Sequence, residues 1–207
     1  MVGQGVLREC LLDPDVARVL VIGRSPLGHQ HDKLQEIVLA DLTNLKSIED
    51  QLKGYDACFF CLGVSSAGMR EPDYRRVTYD LTIAVAQTLA RLNPDMTFMY
   101  VSGAGTDSAG PSMWARVKGE TENALLGLPF KAAYMFRPGL IQPLHGIRSR
   151  TKVYRFFYAL LGPFIPWVTA HFPKYATTTE QIGRAMLRVS KQGASKRVLE
   201  SEDINNL

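Results

Sequence analysis

Short apolar runs of strand length alternate with segments of helical periodicity through residue 141 of this 207-residue chain. Most positions within each run are apolar, as in strands that are buried on both faces of a sheet. The predicted strands are residues 17–22, 36–40, 57–62, 97–102 and 132–136. The predicted helices are centred on residues 6–11, 45–52, 77–92 and 117–125. This alternation is typical of strand–helix–strand units and predicts an α/β fold with a doubly wound parallel sheet.

The first predicted element is a helix, with no strand ahead of it. Gly3 and Gly5 lie in its first turn, and Val6 and Cys10 lie on its apolar face. Nucleotide-binding α/β domains carry a phosphate-binding glycine turn between a first, central strand and a first helix. We therefore expect the sheet to lack its N-terminal central strand, through a truncated or misassigned start. Neighbouring strands lie ~4.8 Å apart, so we expect either a gap of about twice that width in the sheet or two strand edges with unpaired backbone groups. We therefore expect residues 1–207 to have poor solubility and to bind the cofactor weakly.

Composition predicts one domain over residues 1–207. A chain with 46% hydrophobic residues can bury one sizeable core. No run of about eighteen uncharged apolar residues is present, and the N-terminus has no signal-peptide pattern. We therefore predict a cytoplasmic protein.

The charge is distributed unevenly along the chain. The formal net charge is +4, but the part from residue 131 to the end has 12 basic and only 4 acidic side chains. Such a surface can contact phosphates, an acidic partner or anionic lipid, although it is more often a solvated face. We predict no nucleic acid partner.

The cysteine and histidine pairs do not predict a metal site. The chain has only three cysteines, an odd number, so no disulfide framework is predicted and the thiols are expected to be reduced. Cys58 and Cys61 match C-x-x-C, but strand residues three apart point to opposite faces and cannot share a metal or a disulfide. His29 and His31 have no third ligand in sight, so a solvated loop is predicted.

Residues 141–179 break the alternation. They include no acidic residue, five basic residues and eight aromatic residues. Apolar residues at helical spacing predict a helix over 153–161, which Pro163 and Pro166 would end. We expect this helix to form a C-terminal lid or flap. Arg155 argues against a membrane span, and a protein partner is favoured over a membrane surface.

A final helix is predicted after the flap. Thr177-x-x-Glu180 matches a capping box, which places the start of the helix at Thr177. The helix should run to about Lys191 and end before Gly193.

Seven short motifs follow one another along the chain in the order of a known family. They are Gly3, Arg24, Asp41, Cys61-Leu62-Gly63, Tyr100-Val101-Ser102-Gly103-Ala104, Trp114-Ala115-Arg116-Val117-Lys118 and Arg137-Pro138-Gly139. As a set they resemble an atypical short-chain dehydrogenase/reductase with a Rossmann-type sheet, in the small epimerase/dehydratase-like branch that includes Tat-interacting-protein-like proteins. The resemblance covers essentially the whole chain. It implies NAD(P) binding and does not single out one reaction.

The resemblance implies which residues hold the cofactor. Gly3 matches the last glycine of the phosphate-binding turn, at a helix N-terminus that favours an anion. Arg24 stands where a basic residue suits the 2′-phosphate of NADP, so NADP is predicted, with NAD as the alternative cofactor. The other interpretation of Arg24 is an ordinary surface arginine that binds no cofactor. The other implied contacts are Asp41 and Leu42 at the adenine, Leu62, Gly63 and Val64 under the cofactor, Lys118 at the ribose, and Pro138, Gly139, Leu140 and Ile141 at the nicotinamide.

The implied catalytic set departs from the family at one position. Ser102 fits the serine that binds the substrate oxygen, and Lys118 fits the lysine that lowers the pKa of a catalytic tyrosine. Trp114 stands in the place of that tyrosine, and an indole N–H has no proton-transfer chemistry near neutral pH. The candidates for a substituted acid are Tyr79, Tyr100 and Tyr134.

Two functions therefore stay open. One is an NADP-dependent oxidoreductase or epimerase that acts on a small carbonyl or alcohol, whose identity the sequence does not specify. The other is a dinucleotide-binding regulatory or scaffold protein that meets a protein partner through residues 141–179. Trp114 and the acid-free flap favour the second function, whereas the ordered motif set favours the first.

Overall fold

The strands of the molecule lie close to the predicted positions. The computed structural model describes residues 1–147 and 165–207, so the predicted helix over 153–161 lies outside the described residues. The five predicted strands are β1 (Val19–Gly23), β2 (Leu34–Val38), β3 (Ala57–Phe60), β4 (Thr97–Val101) and β5 (Ala132–Arg137). Three short strands were not predicted: β6 (Leu140–Gln142), β7 (Ala176–Thr178) and β8 (Val198–Glu200). All pairs among the described strands are parallel, which confirms the α/β class.

The helices alternate with these strands and end at the residues that break a helix. They are α1 (Val2–Leu12), α2 (Glu71–Arg75), α3 (Leu81–Leu92), α4 (Met113–Leu126), α5 (Ile165–His171), α6 (Thr179–Gln192) and α7 (Ser201–Asn205). A π-helical turn over Arg76–Asp80 joins α2 to α3, and Lys46–Leu52 is a 3-10 helix rather than an α-helix. The four long helices end at Asp13, Asn93, Gly127 and Gly193.

One prediction at a helix end was wrong. Thr178, not Thr177, caps α6: its hydroxyl accepts a hydrogen bond from the Gln181 amide at 2.9 Å. Thr177 is instead a fully buried residue of β7. That strand continues through Thr178 and so includes the residue at which the helix was predicted to start. The helix over 153–161 that Pro163 and Pro166 are predicted to end lies outside the described residues, and Pro166 itself lies in α5.

Helices cover both faces of the sheet and form two hydrophobic clusters. The α1–α6 cluster includes Val6, Cys10, Met99, Phe136, Ile182 and Met186. The α3–α4 cluster includes Ile48, Leu89, Phe98, Leu125 and Met135. Successive residues of one strand face opposite clusters, which is the arrangement of a doubly wound sheet. Cys58 packs against the α3–α4 cluster and Cys61 against the α1–α6 cluster, which confirms that these two cysteines face apart.

Glycines allow α1 and α6 to pack closely. A Cβ on Gly5 would lie 2.5 Å from the carbonyl oxygen of Thr179, and a Cβ on Gly183 would lie 2.7 Å from Cγ of Glu9. Both distances are below any normal contact, so a side chain at either position would push the helices apart. Gly5 is therefore a packing residue.

The strands fall into three hydrogen-bonded groups. β1 pairs with β2, β3 to β5 pair in order with β8 beyond them, and β6 pairs with β7. No ladder joins β1 to β3 in the described structure, and their Cα atoms lie mostly more than 8 Å apart. α1 contacts both strands, and each of the two hydrophobic clusters includes residues of β1 and of β3, so the two strands lie in one layer. Within the described residues, the sheet is interrupted between them, as predicted.

Candidate functional site

The carboxyl ends of the parallel strands define the candidate site. Arg24 follows β1, Asp41 lies three residues beyond β2, and the loop that contains Leu62, Gly63 and Val64 follows β3. Ser102 follows β4, and Pro138 follows β5. β1 and β2 run in the same direction as each other, and so do β3, β4 and β5, so the residues that follow the strands of each group lie along one edge of that group. Ligands of open α/β sheets bind at that edge.

The start of α1 lies against the end of β3. A Cβ on Gly3 would be 3.3 Å from Cβ of Cys61, which directly follows that strand. The first amides of a helix have no partner inside it, and no side chain caps the N-terminus of α1 in the described structure. Gly63 faces open space, with no atom within 4 Å of where its Cβ would be. Gly3 and Gly63 therefore leave backbone accessible at this edge.

Ser102 is held by a residue that the sequence interpretation missed. Its Oγ lies 3.0 Å from Oγ1 of Thr106, and the Thr106 hydroxyl donates to the Gly103 carbonyl oxygen at 2.8 Å. Since Thr106 has one hydroxyl hydrogen, Ser102 is the donor in the bond between them. The Ser102 oxygen can accept a hydrogen bond in this state, and it must rotate away from Thr106 before it can donate to a substrate.

Lys118 lies next to Ser102 at the end of β4. Its Nζ donates to the carbonyl oxygen of Val101 at 3.4 Å and lies 5.2 Å from the ring centre of Tyr100. Burial lowers the pKa of Lys118 to about 8, against a smaller opposing effect of the Glu122 carboxylate. A single long hydrogen bond leaves most of the donor capacity of the ammonium group unused.

The lowered pKa predicts that the protein becomes more stable as the pH rises from about 8 to 10.5. In this interval the unfolded chain holds a proton on Lys118 that the folded chain has released, so the free energy of unfolding increases with pH. Urea unfolding across the interval measures this slope. Lys118→Met should make the slope smaller, and Lys46→Met, at an exposed lysine, should leave it unchanged. Equal slopes for wild type and Lys118→Met would contradict the prediction.

Each of the three candidate tyrosines makes side-chain contacts of its own in the structure. Burial raises the pKa of Tyr100, which lies beneath Lys118 and is 1% exposed. The Tyr134 hydroxyl oxygen accepts a hydrogen bond from the Ala194 amide at 3.1 Å, and the Tyr79 ring packs against the Arg75 guanidinium. Trp114 lies one helical turn before Lys118, and its ring lies against Gly105 in the loop after β4.

Arg24 and Asp41 follow the strands of the β1–β2 group, whereas Ser102 and Lys118 lie at the end of β4 in the other group. Arg24 is exposed and makes no hydrogen bond or ion pair with the described residues. The Asp41 carboxylate accepts hydrogen bonds from the amide and hydroxyl of Thr43 at 2.9 and 2.7 Å, which lowers its pKa. Leu42 is buried. The structure thus joins Gly3, Ser102 and Lys118 to one sheet and leaves the predicted adenosine-end residues on the other.

The segment after β5 is tied to its surroundings through backbone groups. The Gly139 amide donates to Oγ of Ser201 at 2.8 Å, and the Leu140 amide donates to the Tyr175 carbonyl oxygen at 2.8 Å. A Cβ on Gly139 would lie 2.3 Å from that carbonyl oxygen, so only glycine fits. The Ala104 amide donates to the Pro138 carbonyl oxygen at 3.1 Å. The loops after β4 and β5 therefore form one surface.

Comparison with known proteins identifies the family. No protein-family model matches the chain. HTATIP2 from Rattus norvegicus is 28% identical over 212 residues, which cover 99% of this chain and 84% of the relative. Fmp52 from Emericella nidulans, named as a mitochondrial protein, is 30% identical over 173 residues, which cover 78% of this chain and 72% of the relative. The chain belongs to the Fmp52 family.

The Fmp52-family chain has the fold of short-chain dehydrogenases/reductases. The solved structure of MoeE5 in complex with UDP-glucuronic acid and NAD matches with a TM-score of 0.66 and 17% identity, over 96% of this chain and 72% of MoeE5. This likeness and the two relatives confirm the resemblance to an atypical short-chain dehydrogenase/reductase with a Rossmann-type sheet. No helix in the described parts of this Fmp52-family chain is both long and apolar enough to cross a membrane.

One signal in the sequence of this Fmp52-family chain points to Thr106. Ser102 and Thr106 lie four residues apart in a loop with Gly103 and Gly105, so the chain can turn back and bring the two hydroxyls together. Tyr175 and Ser201 carry no such signal, because they reach Gly139 only through the tertiary fold.

Proposed function

We propose that this protein binds a nicotinamide dinucleotide at the carboxyl edge of its sheet, with NADP preferred to NAD. The observation that carries the proposal is the position of Lys118, whose ammonium lies at the end of β4 beside Ser102 with unused donors. Membership of the Fmp52 family and the fold that the chain shares with MoeE5, solved with NAD, support the proposal.

The residues at the edge fit such a cofactor. The uncapped N-terminus of α1 and the open backbone at Gly63 suit a pyrophosphate, because amide groups can approach it closely. Lys118 suits the ribose hydroxyls. Arg24 is exposed and unengaged, so its guanidinium is available for the 2′-phosphate of NADP. The gap between β1 and β3 separates Arg24 from Lys118, which is a reason to expect weak binding.

The reaction that these residues suit is hydride transfer to or from a small carbonyl or alcohol, as in an oxidoreductase or an epimerase. When bound, the nicotinamide ring supplies or accepts the hydride. Ser102 would bind the substrate oxygen after its hydroxyl rotates away from Thr106. Below pH 8 the Lys118 ammonium would place positive charge next to that oxygen and stabilise a developing negative charge.

Trp114 favours a second function, a dinucleotide-binding regulatory or scaffold protein. The chain would bind the cofactor and lack an efficient proton donor for turnover. The described part of segment 141–179 carries aromatic side chains at its surface: Trp167 is 56% exposed, Phe172 44% and Tyr175 70%. Exposed aromatic residues that lie together are typical of protein interfaces, so this surface would meet the partner.

The compartment stays a prediction. The composition predicts the cytoplasm, whereas the Fmp52 relatives are named as mitochondrial proteins.

Cofactor choice is tested at Arg24. We expect Arg24→Ala to weaken NADPH binding about tenfold and to leave NADH binding unchanged, because a charge-assisted hydrogen bond to the 2′-phosphate contributes ~1.5 kcal/mol or more. Fluorescence titration of both nucleotides measures the two affinities.

The matched control is Arg91→Ala. Arg91 pairs with Glu49 at 2.6 Å. It lies two residues before Asn93, and the Asn93 side chain accepts a hydrogen bond from the amide of Gly54, just before β3 begins. It is therefore an arginine at the opposite edge of the sheet. Equal loss of NADPH and NADH affinity in Arg24→Ala would remove the assignment of Arg24 and leave dinucleotide binding in place. Absence of binding by either nucleotide to wild type at millimolar concentration would overturn the proposed function.

A further inference from the structure

Lys118 and Glu122 are neighbours on one face of α4 and carry opposite charges. Helix residues four apart lie side by side, and a helical side chain leans toward the turn before it, so Glu122 leans toward Lys118. Opposite charges at this spacing attract each other. The two side chains nevertheless form no ion pair: the one hydrogen bond of the Lys118 ammonium within residues 1–147 and 165–207 goes to the Val101 carbonyl oxygen. Another element of the fold therefore keeps the carboxylate away from the ammonium.

That element is β5, through its last residue. Nε of Arg137 donates to the two carboxylate oxygens of Glu122 at 3.0 and 3.2 Å, and Nη2 donates to Oε2 at 2.5 Å. Nη1 of Arg137 reaches Glu200 at 3.3 Å on the other side, which holds the guanidinium in place. A planar guanidinium that engages both carboxylate oxygens binds more strongly and more specifically than the single contact of a lysine. Arg137 therefore outcompetes Lys118 for Glu122.

The register of the sheet fixes the position of Arg137. Val101 of β4 pairs with Phe136 of β5, so Arg137 stands at the level of Ser102, the residue after β4. Alternation along β5 places Arg137 on the same face as Met135, which is buried in the α3–α4 cluster. The Arg137 side chain therefore leaves the sheet directly beneath α4.

The surroundings of Lys118 show the result of this arrangement. Burial lowers the pKa of Lys118 to about 8, and the Glu122 carboxylate opposes this effect only in part. The other titratable group against the ammonium is Tyr100, whose ring centre lies 5.2 Å from Nζ. Burial raises the pKa of Tyr100, so its phenol stays neutral and supplies no negative charge. A direct pair with Glu122 would occupy the ammonium and raise the pKa of Lys118.

We propose that Arg137 is a positioning residue for Lys118: it holds both oxygens of Glu122 and thereby keeps the Lys118 ammonium free to bind a ligand at the carboxyl end of β4. The inference rests on the proposed function for the identity of that ligand, the ribose of a nicotinamide dinucleotide. The competition of Arg137 and Lys118 for one carboxylate takes place in the nucleotide-free protein and does not depend on that function.

Replacing Arg137 with methionine tests the proposal, because it releases Glu122. We expect the pKa of Lys118 to rise by about one pH unit or more above its value of about 8, since a nearby opposite charge favours the protonated amine. NMR of nucleotide-free protein with ¹³C-labelled lysine follows the Lys118 Cε resonance from about pH 6 to about pH 10.5, which spans the lowered and the ordinary lysine pKa. The resonance is assigned from its absence in Lys118→Met.

The double variant Arg137→Met/Glu122→Gln shows whether Arg137 acts through Glu122. An amide offers Lys118 no charge to pair with, so the pKa of Lys118 should return to about 8 or below. A direct effect of the Arg137 charge on Lys118 would leave the pKa raised in the double variant. The matched control is Arg75→Met, which releases Glu120 on the same helix. Glu120 lies two residues from Lys118 and faces elsewhere, so the pKa of Lys118 should not change.

Nucleotide binding is the second measurement. Arg137→Met should weaken the binding of NADPH and of NADH by the same factor, because both carry the ribose, and the double variant with Glu122→Gln should restore both affinities. Arg137→Lys keeps the charge but lacks the planar fork, so it should raise the pKa of Lys118 by a smaller amount. This variant takes the place of Arg137→Met if the methionine variant does not fold.

Two results would overturn the proposal: an unchanged pKa of Lys118 in the folded Arg137 variants, or a pKa that stays raised in the double variant. The proposed function fails separately. If the pKa changes occur as expected and wild type binds neither nucleotide, the control of Lys118 by Arg137 stands and the dinucleotide is the wrong ligand. If wild type binds the nucleotides and the pKa does not respond to Arg137, the proposed function stands and this inference fails.

Discussion

Replacing Trp114 with tyrosine is expected to raise the rate of NADPH-dependent reduction of a small carbonyl about 10²-fold or more, because a positioned general acid contributes ~10²–10⁴-fold to such a step. Position 114 lies one turn before Lys118 on α4, and the ring at 114 lies against Gly105 in the loop after β4. A phenol there would lie near Ser102. The Lys118 ammonium would lower the pKa of that phenol.

The rate is measured as NADPH oxidation at saturating nucleotide with a panel of small aldehydes and ketones. Trp114→Phe is the matched control, since it makes a similar change of ring size without a hydroxyl and should stay at the wild-type rate. A wild-type protein that already reduces these carbonyls at a typical rate would show that another group donates the proton. A tyrosine variant that binds NADPH normally and reduces nothing would favour the regulatory or scaffold function.

The second large effect is expected on stability, at Glu122. This carboxylate is 2% exposed and accepts hydrogen bonds from Nε of Arg137 at 3.0 Å and from Nη2 at 2.5 Å. The bonds raise the pKa of Arg137, which also reaches Glu200 at 3.3 Å. Glu122→Ala should lower the free energy of unfolding by about 3–5 kcal/mol, because it leaves a partly buried guanidinium without its main partner.

Urea unfolding at neutral pH measures this loss. Glu71→Ala is the control: it removes an exposed carboxylate that pairs with Arg116 at 2.8 Å and should cost less than ~1 kcal/mol. The double variant Glu122→Ala/Arg137→Met should recover part of the stability, since it removes both charges. Equal losses for Glu122→Ala and Glu71→Ala would show that the pair contributes no more than a surface ion pair. Domains are typically stable by only ~5–15 kcal/mol, so the expected loss approaches unfolding.

Much of the fold could be predicted from local pattern. Continuously apolar runs such as 97–102 and 132–136 form strands only where both faces are covered, so these runs predict a parallel sheet. The short strands β6, β7 and β8 could not be predicted, because three residues carry no periodicity. The helix start was misplaced by one residue because Thr177, Thr178 and Thr179 all suit a cap, and only the pairing of β7 with β6 decides among them.

Part of the candidate site could likewise be predicted from local sequence, and part depends on the tertiary structure. Ser102 and Lys118 were found from motif order, and the structure places both at the end of β4. Thr106 was missed because its role depends on a loop that returns toward the strand. The environment of Trp114, the burial that lowers the pKa of Lys118 and the bidentate Arg137–Glu122 pair are all products of packing between α4 and the sheet.

By itself, the sequence determined the layered α/β architecture and the order of the motifs that contain Ser102, Trp114 and Lys118. These properties depend on residue identity and on spacing along one strand or helix, which short-range sterics and hydrophobic burial control. Only the tertiary structure decided that no ladder joins β1 to β3 within the described residues, that Ser102 donates to Thr106 and that Lys118 has a lowered pKa. Those properties depend on which distant segments meet, and the free energy of the whole packed molecule selects those contacts.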